Sequence, residues 1–86
     1  MNNKPDRIFL VEDDLSFGSV LKSYLEINDF VVDWIDDGKY AVDHFRKGNY
    51  DICILDIMLP GMDGKDVCKQ IKRKDDVPIL MLSAKA

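Results

Sequence analysis

Long apolar runs are missing from this sequence. Its start, MNNKPDRIFLVEDD, holds four apolar residues in a row, Ile8 to Val11, before acids arrive. That is too short for the core of a secretory signal and far too short to cross a bilayer. A cytoplasmic location without membrane association is therefore expected. Basic charge is also scarce: 12 Lys and Arg face 16 Asp and Glu, for a net charge of −4. Nucleic-acid surfaces need clustered Lys and Arg in excess, so direct nucleic-acid binding is not expected. Cys53 and Cys68 are the only cysteines, with no C-x-x-C or metal-ligand spacing. Both lie within apolar patterns and read as reduced thiols in or near the core. The single histidine, His44, reads as a solvated helix residue. No linker, low-complexity tract or repeat interrupts the chain, so residues 1–86 are expected to form one domain.

What the sequence does contain is an alternation of element types. Ile8 to Val11 is a continuous apolar run, as in a strand buried on both faces. Phe17, Val20, Leu21, Tyr24 and Leu25 then recur at helical spacing, predicting an amphipathic helix over 15–27. Phe30 to Ile35 reads as a strand, and Asp36 to Gly38 as a polar turn. A second helix is expected over 39–47, with Gly48 as its C-terminal cap. The segment DICILD, residues 51–56, is a third strand, and 65–73 a third helix. Ile79 to Leu82 is a fourth strand, ending at Ser83. Trp34 reads either as packing or as an exposed edge aromatic.

Continuous apolar strands separated by amphipathic helices imply an α/β fold, a doubly wound parallel sheet with helices on both faces. Ligands of such sheets bind at the carboxyl ends of the strands, beside a topological switch point. Here those ends carry Glu12, Asp13 and Asp14 on the first strand, Asp56 on the third and Ser83 on the fourth. Carboxylates converging from different strands repel one another, which raises a pKa or loosens the site. A hard divalent cation removes that conflict, and oxygen donors without His or Cys suit Mg2+ rather than zinc.

The segments LVEDD, DICILDIMLPGMDG and ILMLSA, at these separations, resemble the receiver domain of bacterial two-component response regulators. The resemblance implies a flavodoxin-like fold and a phosphoacceptor signalling role rather than that of a separate enzyme. Asp56 would take a phosphoryl group from a phosphohistidine on a sensor histidine kinase, assisted by magnesium. Asp13 would bind the metal with Asp56 and the backbone carbonyl of Met58, and Glu12 would reach it weakly or through water. The family's separation between its second acid and the second strand favours Glu12 beside Asp13, with Asp14 starting the helix. Asp14 remains the alternative to Glu12. Ser83 matches the hydroxyl that bonds the phosphoryl group, and Ala84 the small residue beside it. Pro60 and Gly64 fit the family's loop, Gly64 by permitting a positive φ. A C-terminal effector domain, DNA-binding by analogy, is the implied output.

Against that family the sequence ends after the fourth strand, so the last strand and last two helices are expected to be absent. The family's phosphate-pairing lysine and aromatic switch residue go with them, and Lys85 does not replace the lysine. The fourth strand then becomes an edge, and the face left open by the fifth helix exposes apolar surface of strands three and four. Self-association or segment swapping is the expected result. A receiver regulated by protein contacts without phosphate is the competing reading. A haloacid-dehalogenase-type phosphatase would need an acid where Met58 stands, and a flavodoxin would need a phosphate loop where the acids of the first strand lie.

Overall fold

The computed structural model describes residues 6–59 and 62–82. The elements run β1 (Arg7–Val11), α1 (Leu15–Ile27), β2 (Val31–Ile35), α2 (Gly38–His44) and β3 (Ile52–Asp56). They continue with β4 (Met58–Leu59), β5 (Met62–Asp63), α3 (Gly64–Lys74) and β6 (Ile79–Leu82). The expected order of four long strands and three helices is borne out, and the short hairpin of β4 and β5 is an addition. Its signal was the Pro-Gly pair between Met58-Leu59 and Met62-Asp63.

The main sheet has the order β2-β1-β3-β6, with every pair parallel. Strand order reverses between β1 and β3. The chain moves from β1 outward to β2, then crosses back to β3 and on to β6. Right-handed crossovers must then place α1 on one face and α2 and α3 on the other. The packing follows: Ile8, Leu10, Val32 and Ile54 form the core under α1 with Leu21 and Leu25. Phe9, Val11, Cys53 and Leu55 point the other way, to Ala41, Phe45, Val67 and Ile71. Alternate residues of β1 and β3 therefore serve two cores, which explains why both strands are apolar throughout.

Three local expectations are corrected. Helix α2 stops at His44 rather than running to 47. Phe45 is already extended (φ −67°, ψ 130°), and its buried ring meets Phe9 edge-on at 5.4 Å. Gly48, with φ 76°, belongs to the turn beyond and donates its N–H to Asp75 Oδ2 at 2.8 Å. Second, the apolar set of α1 does not all face the core. Leu21 and Leu25 pack there, while Phe17, Val20 and Tyr24 are exposed, as are Leu15 and Ile27. Third, the apolar surface expected to be open on the third and fourth long strands is open at Leu80 of β6 but not at Ile54 of β3, which is buried. Among the described residues most exposed large apolar side chains lie on α1.

Helix caps follow the sequence closely. Asp14, Asp37 and Asp63 each accept a backbone N–H from the first turn of α1, α2 and α3. Asn28 closes α1 by donating Nδ2–H to the Tyr24 carbonyl at 2.8 Å, and Asp29 turns the chain through φ 70°. Cys53 is buried and Cys68 half-buried, both as free thiols. Burial pushes the Cys53 thiol up to about 12, leaving it inert at neutral pH.

Candidate functional site

Two strand ends on either side of the switch point build the site. β1 delivers Glu12, whose N–H extends the ladder to the Ile35 carbonyl at 3.1 Å. β3 delivers Asp56 one strand over, and its register with β6 sets Asp56 opposite Leu82. Both acids are buried, Glu12 at 4% and Asp56 at 5% exposure, which is costly for carboxylates without partners. Asp13 is half-buried beside them, and carboxylate oxygens of Glu12, Asp13 and Asp56 all lie within 4.8 Å of one another.

Backbone amides supply part of the compensation. The Asp14 N–H donates to Glu12 Oε2 at 2.9 Å, and the Met58 N–H donates to Asp56 Oδ1 at 2.9 Å. The balance still disfavours charge at Glu12. Burial pushes its carboxyl up to about 7, nearby Asp56 and Asp13 add to the rise, and the Asp14 N–H opposes it. A protonated or cation-bound carboxylate is the physical remedy, and an all-oxygen donor set suits a hard divalent ion.

Asp14 stands apart from the trio: it is exposed and accepts the Phe17 N–H at 3.0 Å as the N-cap of α1. Met58 follows Asp56 by two residues and lines, with the three acids, Asp14, Phe17 and Leu82, a cavity of about 560 Å3. Ser83, Ala84 and Pro60 lie outside the described residues. Gly64 is required, but not for a positive φ. A Cβ there would sit 2.4 Å from the Asp56 carbonyl oxygen and 2.7 Å from Ile57 Cα. Helix α3 starts directly against the strand end that carries Asp56, with the Gly64 N–H donating to the Ile57 carbonyl at 3.1 Å.

Trp34 is the contributor that sequence reading left unassigned. Its indole Nε1–H donates to the Glu12 carbonyl at 2.9 Å. No spacing rule places a β2 aromatic at the end of β1; only the parallel register, Leu10 opposite Trp34, does so.

Comparisons with known proteins agree with this architecture. The family model for the response regulator receiver domain matches residues 8–86. The transcriptional regulatory protein ResD of Bacillus subtilis is 39% identical over 79 residues, 92% of this chain and 33% of ResD. The chain thus spans about a third of that relative's length. The non-phosphorylated receiver domain of HemR from Leptospira biflexa superposes with a TM-score of 0.88 at 39% identity, covering 96% of this chain and 67% of that one. TrrA of Thermotoga maritima, solved with Mg2+ and BeF, gives a TM-score of 0.85 at 35% identity, covering 94% of this chain and 71% of that one. TrrA has also been solved in complex with the histidine kinase ThkA.

Proposed function

The chain belongs to the response regulator receiver family of two-component signalling, and from that premise we propose that Asp56 is its phosphoacceptor. The single observation that carries the reading is the buried Asp56 carboxylate at the end of β3, gathered with Glu12 and Asp13 within 4.8 Å.

An Asp56 oxygen attacks the phosphorus of a phosphohistidine on a sensor histidine kinase. The new P–O bond forms as the P–N bond breaks, and the departing imidazole takes up a proton. The Met58 N–H orients the attacking carboxylate by holding one of its two oxygens. The residues fit magnesium: Asp13, Asp56, Glu12 and the Met58 carbonyl would hold it. Bound there, the ion supplies charge neutralisation for the carboxylates and for the phosphoryl oxygens. Ser83 would bond the phosphoryl group and Ala84 would leave room for it. The TrrA complexes with Mg2+ and BeF and with ThkA support the same partners for this chain.

ResD and related matches are named as transcriptional regulators, which supports a DNA-binding effector domain as the output. Among the described residues no helix is long and apolar enough to cross a membrane. The β6 edge and the exposed side of α1 favour self-association of the 86-residue chain, read by sedimentation at micromolar concentration.

Incubation with magnesium and acetyl phosphate tests the proposal. The intact mass should rise by one phosphoryl group, and Asp56→Ala should abolish the rise. A folded protein that gains no mass would instead point to a receiver working through protein contacts alone.

A further inference from the structure

Trp34 is the only tryptophan of the chain. It stands on β2, an edge strand, and turns its ring toward α1 as part of the core that holds Leu21 and Leu25. The ring fits only because α1 carries a glycine beneath it. A Cβ on Gly18 would lie 2.2 Å from Trp34 Cζ2 and 2.6 Å from Cε2. Seated on that glycine, the indole reaches past the end of β1 and donates Nε1–H to the Glu12 carbonyl.

That carbonyl belongs to the peptide unit joining Glu12 to Asp13. The unit is planar, so fixing its C=O direction fixes where the Asp13 N–H and Cα lie. Two other bonds hold the same segment: the Glu12 N–H to the Ile35 carbonyl, and Glu12 Oε2 to the Asp14 N–H. Strand β2 therefore holds Glu12 by both backbone groups, one through Ile35 and one through the Trp34 side chain. The second hold acts on the side of Glu12 that leads directly to Asp13.

We propose that Trp34 is a positioning residue for the Glu12–Asp13–Asp56 cluster, with Gly18 as the seat that lets its indole reach the Glu12 carbonyl. The proposal rests on the reading of that cluster as a divalent-cation site. Trp34 does not touch the ion; it orients the peptide that presents two of its ligands. Losing one hydrogen bond at an ordered site should weaken binding about two- to tenfold.

The test compares the full wild-type chain with Trp34→Phe and with Trp34 replaced by 3-benzothienylalanine. The latter keeps the shape of indole and substitutes sulfur for N–H. Magnesium affinity is read by calorimetry, and melting temperature is measured without magnesium. Both substitutions should weaken magnesium about two- to tenfold. The benzothienyl chain should melt close to wild type, since its packing on Gly18 is kept. In wild type, the lone indole N–H resonance should shift as magnesium is added. Equal magnesium affinity in wild type and the benzothienyl chain overturns the role of Trp34 alone. A wild-type chain that binds no magnesium overturns this role and the cation reading together, whereas equal affinities with magnesium bound overturn this role and leave the cation reading standing.

Discussion

The Asp56 carboxylate accepts the Met58 N–H at 2.9 Å, so the loop leaving β3 turns back and orients the acid that ends it. Asparagine at this position keeps an oxygen for the same bond and removes the charge. Asp56→Asn should therefore fold, fail to accept a phosphoryl group, and gain on the order of 1 kcal/mol in magnesium-free stability from relieved repulsion. Urea denaturation with and without magnesium checks this, since the gain should shrink when a cation occupies the cluster.

Glu12 predicts an unusual pH profile for the magnesium-free chain. Burial pushes its carboxyl in the folded chain up to about 7, from 4.5 when exposed, so the folded state keeps a proton that the unfolded state releases. Stability from this group is full below pH 4.5 and is lost as pH rises through about 7. Glu12→Gln should flatten that decline. Denaturation midpoints of the two proteins, taken across this window, isolate the contribution.

Gly64 lies against the backbone beneath Asp56, where a Cβ would approach a carbonyl oxygen to 2.4 Å. Gly64→Ala must displace either β3 or the start of α3, at roughly 1–3 kcal/mol. It should also impair phosphorylation. Gly48→Ala is the control: φ there is 76° but nothing lies within 4 Å of an added Cβ. It should cost about 1 kcal/mol and leave phosphorylation intact.

Phe45 anchors the end of α2 against Phe9, ring centroids 5.4 Å apart and nearly perpendicular, with Tyr50 alongside. Phe45→Ala should cost about 3–5 kcal/mol, a large share of the stability of a small domain. Loss of the cooperative thermal transition would register it.

Val20 and Ile27 are 67% and 79% exposed on the outer side of α1. Val20→Glu with Ile27→Lys should change the stability of the single chain by no more than about 0.5 kcal/mol. Sedimentation should show less association than wild type. Unchanged association would assign it to the β6 edge instead.

Much of this molecule was legible without coordinates. Ile8 to Val11 and Ile52 to Leu55 are apolar at every position because β1 and β3 each contribute to two cores. Such runs admit a central parallel strand, and acids placed directly after them must emerge at the rim. The limits of α1 were readable because Asp14 and Asn28 act through bonds only a few residues long. Tertiary structure decided the rest. Helical spacing marks the apolar residues of α1 but does not say which of them find a neighbour, so Phe17, Val20 and Tyr24 looked like core. The end of α2 depended on Phe45 reaching Phe9, and the need for Gly64 depended on α3 closing onto β3. Trp34 received its partner from the register of two strands more than twenty residues apart. Sequence determined which segments become strands and where acids leave them, because those are local and periodic constraints. Contacts between segments decided how the acids are held, because no local pattern encodes them.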